Sequence, residues 1–497
     1  MGLKDRLDQL LQVAAPEVEA VSVAGTWWTW GQVTPIAREV DRICTSLGLH
    51  GGARVGVTLQ NDAASLAVAI GVLASGRCIT TLNPLQPPAR LAGDIERATL
   101  PIVFGPHLVI GDRIVGAAIE KNGLSATVGV DGAVVVDGTQ REWPDSSYSV
   151  GTAIEMATSG TTGPPKRINL AYAQLDSAFE AQSGSAELPK QNSSVAIVSA
   201  PLVHIGGLWH ALNSVLAGRR LVLLDRFRVA DWVDAVERYR PKVVSLVPAA
   251  VRAVLDADVP VSALTSVRAV TSGTAACPPD LAEAFHEKYD IPVLTTYGAT
   301  EFAGAVAGWT LADYRSFAGR KRGSVGRPFA GVRIRAADEH GTEVAAGVIG
   351  RLQVSGAQLG DASAWVGTSD LGKVDADGFI FITGRADSAI VRGGFKVQPD
   401  TVVERLEKHP SVSSAAVVGQ PHERLGKVPV AVVTVPEGAR TPDEDELVAF
   451  CREALMPYEV PAQIAVVDEI PLTATLKVSG ADILALFDER SESAAGV

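Results

Sequence analysis

Cysteine is scarce in this 497-residue chain: four residues, Cys44, Cys78, Cys277 and Cys451, with no CxxC pair among them. That excludes a disulfide framework and a thiolate zinc site, and predicts small buried thiols in a reducing compartment. Positive charge is also short. The formal charge is −12 and the pI about 5.3, which argues against broad binding to nucleic acid or an anionic membrane. A local basic stretch remains at Arg315 to Arg327, with a Gly-Arg-Lys-Arg-Gly core. The opening MGLKDRLDQLLQ has neither apolar core nor cleavage site, so it does not read as a signal peptide, and Arg6 breaks the myristoylation pattern.

Formal charge is missing altogether from Gln191 to Gly218. The stretch is long enough for a membrane span, but Pro201, His204, His210 and Asn213 divide it into two short apolar runs. Buried strand, loop and helix is the expected arrangement, in a soluble cytoplasmic protein with no membrane span. Hydrophobic residues at 47% against 20% charged predict a well-packed globular chain, of roughly three domains by length alone.

The rest of the chain is organised around Thr158 to Lys166, TSGTTGPPK, which holds four hydroxyls, two glycines, two prolines and a lysine. Glycines let backbone approach a ligand closely, the hydroxyls and amides offer donors to phosphate oxygens, and Lys166 adds charge. It is not a Walker loop, because the spacing is too close and Arg167 follows the lysine. An ordinary Gly/Ser/Thr turn is the competing reading. The apolar run Ala153 to Ala157 before it reads as a strand, and the residues from about Ile168 as a helix.

Before this loop, helix-like stretches (Trp30 to Leu47, Ser65 to Ser75) alternate with strand-like ones (Ala53 to Leu59, Gly76 to Thr81), implying a mostly parallel sheet covered by helices. After it, Val195 to Ser199, Val243 to Val247, Val267 to Thr271 and Val293 to Thr296 read as strands. Several of these lead into motif-bearing loops, and ligands in such folds sit beyond the carboxyl ends of strands. Gly326 to Ile382 reads as a small β-subdomain, Gly384 to Asp387 as a hinge, and the remainder to about Glu489 as a compact βαβ-type unit.

Taken together, TSGTTGPPK, PLVHIGGLW, TYGATE, TSDLGKVDADGF, GRADSAIVRGGFKV and PLTATLKVSG resemble, in order, the motifs of the adenylate-forming superfamily, and most of all its acyl- and aryl-CoA ligases. The resemblance implies an α/β fold: a large N-terminal domain over 1–384, with two α/β sheet subdomains and a small β-subdomain, then a small mobile α+β C-terminal domain over 385–497. It also implies a two-step reaction. A carboxylate attacks the α-phosphate of ATP, with Mg²⁺, to give an acyl-adenylate and pyrophosphate; a thiol of coenzyme A or of a carrier protein then takes the acyl group.

By the same resemblance, ATP or AMP is bound by Thr158, Ser159, Gly160, Thr161, Thr162, Gly163, Lys166, Gly273, Thr274, Ala275, Thr296, Tyr297, Gly298, Asp370, Ile382 and Arg385. Thr300 touches the α-phosphate, Glu301 with Thr162 holds the metal, and Lys477 serves the adenylation step. His204 gates the carboxylate, and Trp209, Val247, Ala249, Gly273, Ala299 and Ala303 line the acyl pocket with it. Asp387 is the hinge, and Gly393, Gly394, Phe395 and Lys396 line the pantetheine tunnel. Each has a plain structural alternative: a helix cap for Thr300-Glu301, a turn for Asp370, a surface ion pair for Arg385, a core position for His204, a solvated lysine for Lys477.

Two departures from the family pattern stand out. Leu476 replaces the usual glycine before the lysine, and the Gly350 to Asp370 segment is shortened, has no tyrosine and carries Trp365. No aspartate occurs in PLVHIGGLW to hold an α-ammonium, so an amino acid substrate is disfavoured. The expected protein is an acid:CoA ligase for a bulky apolar acid (aryl, polycyclic or medium to long acyl), monomer or homodimer. The rivals are a ligase that loads a carrier protein and a non-catalytic nucleotide- or acyl-binding protein.

Overall fold

A computed structural model of the chain describes residues 1–129, 132–138, 142–158, 166–183, 194–386, 389–392, 395–436, 438–473 and 478–495, with side chains omitted at 158, 166, 182–183, 396 and 490–495. The fold is mixed α/β, with a large N-terminal and a smaller C-terminal part. Two compact units emerge: Met1–Arg333 with Ser355–Ala364, and Ile334–Val354 with Trp365–Val497.

The first unit holds three sheets. A seven-stranded sheet runs in the order 134–137, 124–128, 102–105, 54–58, 78–82, 152–158, 166–171, with parallel inner strands and an antiparallel strand at each edge. Strand Cys78–Leu82 is buried at every residue, as an apolar run covered on both faces should be. Helix Ala63–Ala74 is buried at every residue but Ala64, and Asp62 caps it by accepting from the Ser65 amide at 2.7 Å. A four-stranded sheet joins Val195–Val198 and Arg220–Leu223 to the hairpin Glu19–Val23/Thr26–Thr29. A five-stranded sheet runs Val243–Ser245, Ala269–Ser272, Val293–Ala299, Gly304–Gly308, Arg327–Pro328. The uncharged stretch after Gln191 contains the buried strand Val195–Val198 and the helix Ile205–Leu216, as its composition implied.

One expectation is overturned. From Lys166 to Ala171 the chain is a strand, antiparallel to Thr152–Thr158 with Thr158 opposite Lys166, and the helix starts only at Tyr172. Ile168 and Leu170 alternate with polar neighbours at the period of two that pairs with a sheet edge. The residues that flank the Gly/Thr-rich loop, Thr158 and Lys166, are therefore partners on one rung of this ladder.

In the second unit, strands Gly350–Gly356, Val366–Val374 and Ile380–Arg385 pair antiparallel, with Val332–Ala337 at the edge. Beyond them, Ile390–Arg392, Phe395–Val397, Ser414–His422 and Gly426–Thr434 pair antiparallel, and only Gln463–Val466 joins in parallel. The expected βαβ unit is present once, as Gly426–Thr434, helix Glu444–Arg452 and the parallel Gln463–Val466, while Ser414–His422 and Gly426–Thr434 are too close in sequence for a crossover and form a hairpin. The compact units part within Val332–Ala337. Strand Ile380–Arg385 packs with helix Pro399–Leu406, and a Cβ on Gly384 would come within 2.9 Å of Gln398 Oε1. Among the described residues no helix is long and apolar enough to cross a membrane.

Candidate active site

In the first unit, three of the motif loops meet. His204 is the N-cap residue of helix Ile205–Leu216, with extended backbone and a partly buried side chain. Gly206 is exposed, and a Cβ there would lie 3.5 Å from Thr274 Cγ2. One turn on, Trp209 lies against Gly304, where a Cβ would sit 3.3 Å from its Cδ1. The start of this helix therefore abuts both the loop after Ala269–Ser272 and the turn after Val293–Ala299.

The first of those is strained. Thr274 has φ +68, a left-handed conformation costly for a β-branched residue, and the exposed Thr274, Ala275 and Ala276 follow the buried Ser272. Gly273 has no room for a side chain, because a Cβ would be 2.4 Å from Thr296 Oγ1. Thr296 in turn donates from that hydroxyl to the Ser272 carbonyl at 3.3 Å. Val247 caps the start of helix Pro248–Asp256 with Ala249 exposed beside it.

Strand Val293–Ala299 bulges between Tyr297 and Gly298 against Gly304–Gly308, and a Cβ at Gly298 would meet Gly304 O at 2.3 Å. Tyr297 is 7% exposed, with its ring edge-on to Phe302 at 6.4 Å. Thr300–Phe302 forms a single 3₁₀ turn, not a helix start, and closes on Ala303 at φ +57. It leaves Thr300 partly buried and the Glu301 carboxylate exposed, while Ala299 is partly buried and Ala303 fully so.

Behind this turn stands Gln358, a residue that motif reading missed. It is 3% exposed, and its Nε2 donates to Phe302 O at 2.9 Å and Ala305 O at 3.3 Å. Its backbone carbonyl accepts from Gln174 Nε2 at 3.2 Å. The one signal in the sequence is a lone polar residue in the short stretch between Gly356 and Gly360. Also unforeseen is the anchor below the Gly/Thr-rich hairpin. Glu155, 5% exposed, pairs with Arg54 at 2.7 Å and accepts from Thr80 Oγ1 at 3.0 Å. Ser159, Gly160, Thr161, Thr162 and Gly163 lie outside the described residues, as do the side chains of Thr158 and Lys166.

In the second unit, Asp370 and Arg385 are direct partners across an antiparallel ladder, with Arg385 Nε 3.9 Å from Asp370 Oδ1. Arg385 Nη2 donates to Ser369 Oγ at 2.6 Å, and the Thr368 hydroxyl accepts from the Asp370 amide at 3.0 Å. Ile382, partly buried, pairs with Gly372 on the same two strands. Trp365, in the shortened segment, stacks under the Arg335 guanidinium at 4.2 Å. Phe395 is 57% exposed and stacks on Tyr458 at 4.7 Å and 12°, while Arg392 Nη1 donates to Val460 O at 2.9 Å. Asp387, Gly393, Gly394, Lys477 and the Lys396 side chain lie outside the described residues. Leu472 and Val478 form an isolated antiparallel bridge, and Ser479 N donates to Pro471 O at 2.8 Å.

The AMP-binding enzyme family matches residues 11–361, and the AMP-binding enzyme C-terminal domain matches residues 404–477. The chain belongs to the AMP-binding enzyme family. It is 29% identical over 492 residues to a 2-succinylbenzoate–CoA ligase of Geobacillus kaustophilus, covering 96% of this chain and 97% of that one. It is 32% identical over 350 residues to an indoleacetate–CoA ligase of Aromatoleum aromaticum, covering 67% of each. A sulfoacetate–CoA ligase of Cupriavidus necator matches at 29%, over 92% of each chain. In fold it is similar to ATP-bound MatB from Rhodopseudomonas palustris, with TM-score 0.81, 24% identity and 98% and 99% coverage. It is an enzyme of the AMP-forming acyl-CoA synthetase type, and ATP, Mg²⁺ and coenzyme A are its reagents.

Among the described residues no cluster of three His, Cys, Asp or Glu could hold a metal by itself. An exposed carboxylate at Glu301 nonetheless fits an ion such as Mg²⁺, which takes one or two carboxylates and draws its other ligands from phosphates and water.

Proposed function

We propose that the protein activates a bulky apolar carboxylic acid (aryl, polycyclic or medium to long acyl) as its acyl-adenylate and passes it to coenzyme A. The observation that carries this reading is the seating of the His204 helix start against both Thr274 and Gly304. In this reading the acyl body lies among Gly206, Ala249, Ala275, Ala299 and Ala303, all small, beside the Thr300–Phe302 turn.

In this reading Thr158 to Lys166 hold the phosphates and Tyr297 with Gly273, Thr274, Ala275, Thr296 and Gly298 holds the adenine side. Asp370 accepts from the ribose hydroxyls and Arg385 orients Asp370 through the ladder. Mg²⁺ held by Glu301, with Thr162, withdraws charge from the phosphates. Thr300 and Lys477 donate to the α-phosphate as negative charge builds on it, which is where a fixed donor accelerates most. His204 sits at the carboxylate entrance. The chain's C-terminal part then turns about Asp387, and the thiol enters along Gly393, Gly394, Phe395 and Lys396. A cytoplasmic location agrees with four free cysteines.

The test is pyrophosphate release with Mg·ATP across aryl, fatty, polycyclic and amino acids, each with and without coenzyme A. Turnover for one apolar class that requires coenzyme A is expected. Release that coenzyme A does not stimulate would point to a carrier-protein thiol, and bound ATP with no release would leave a binding protein.

A further inference from the structure

Trp209 is 6% exposed, and its Nε1 is buried with no hydrogen-bond partner among the described residues. The protein satisfies comparable indoles elsewhere: Trp309 Nε1 donates to Ser324 O at 2.8 Å, and Trp143 Nε1 donates to Leu47 O at 2.9 Å. A dry, unpaired N–H is costly, and a native fold keeps one where something else pairs it.

The position indicates what. The edge of the ring that bears Nε1 lies against the side of Gly304 that lacks a side chain, where a Cβ would lie 3.5 Å from the nitrogen. Gly304 is the ladder partner of Ala299 and follows the turn that carries Thr300 and Glu301. At φ +121 it holds a backbone conformation that favours glycine, so no side chain stands between the indole edge and that turn. Around it Ala299 and Ala303 offer no polar side-chain atom, and Ala303 is fully buried.

We propose that Trp209 is a specificity-determining residue whose indole N–H donates to one acceptor atom within the acyl body of the acid. The substrate is then an apolar acid that carries a ketone, ether or ring-nitrogen acceptor, not a plain hydrocarbon acid. This rests on the acid-activating reading above. A buried donor selects strongly, because an analogue without the acceptor leaves the donor unpaired in the complex.

The test uses the full chain and matched pairs of acids: aryloxy- against arylalkanoates, keto acids against their methylene analogues, pyridyl- against phenylalkanoates. Thermal stabilisation is titrated for each in the presence of AMP. In the wild-type protein the acceptor-bearing member should bind about tenfold more tightly, the value of roughly one hydrogen bond. In Trp209→Phe, which keeps an aromatic ring and removes the N–H, the ratio should fall to about one because the acceptor-bearing members weaken. A wild-type ratio near one in every pair overturns the assignment without need of a variant. So does an unchanged ratio in Trp209→Phe, equal weakening of both members, or no stabilisation by either. Pyrophosphate release is followed in parallel. Selective binding without release would overturn the ligase reading and leave the role of Trp209 standing.

Discussion

At the residue scale, Lys477 and His210 carry the sharpest expectations. Lys477→Ala should lower pyrophosphate release by roughly 10²–10³-fold, the value of one well-aimed donor in the transition state. Conversion of a preformed acyl-adenylate to the thioester should continue; equal loss in both half-reactions would remove Lys477 from the first step. His210, on the helix that His204 caps, is pushed down from 6.5 to about 4 by burial, and the Arg219 charge adds to the effect. Its proton is therefore held more readily by the unfolded chain. The neutral histidine favours the fold above pH 6.5, and that advantage drains away as pH falls towards about 4. Denaturation curves between those limits should show a loss on the order of 2 kcal/mol in the wild type that His210→Gln does not share. Parallel curves for the two proteins would place the pH sensitivity elsewhere.

At the element scale, the hairpin Thr152–Thr158/Lys166–Ala171 depends on a buried ion pair at its base. Arg54 and Glu155 are 14% and 7% exposed in their side chains, and Thr80 supplies a further hydrogen bond. Breaking one side of such a pair leaves the other charge buried, so Glu155→Gln should destabilise the protein by about 3–5 kcal/mol. The ATP concentration for half-maximal pyrophosphate release should rise as the hairpin loosens; unaltered stability in urea would show that the pair is solvated. The strands before the motif string were legible, because continuous apolar runs announce themselves. The strand after it was not. Ile168 and Leu170 are spaced too briefly to separate a period of two from a helix, and the antiparallel partner that decides the matter lies before the loop. Gln358 was illegible for a different reason, since its function is to fill the backbone of a distant turn and no local pattern records that. Asp370 and Arg385 were both visible in the motifs, but that they share a ladder rung depends on register alone.

At the scale of the whole molecule, the order of the two half-reactions is the expectation most open to trial. Asp387→Pro fixes one backbone torsion at the proposed hinge. Pyrophosphate release should persist while thioester formation falls by at least about tenfold, and normal thioester formation would clear Asp387 of that role. Trp365 stacked with Arg335 gives the shortened Gly350 to Asp370 segment a structural anchor that its composition did not suggest. The cysteines have a use beyond what they exclude. Cys44, Cys78 and Cys451 are buried and Cys277 partly so, and burial raises every one of these thiols, Cys277 and Cys451 to about 11. At neutral pH the native protein should therefore react little with maleimides, which a thiol titration of the folded chain would check. A single cysteine introduced on either side of Asp387 would take a fluorophore against little background, and swinging during turnover could be watched as changing emission with the four native cysteines left in place.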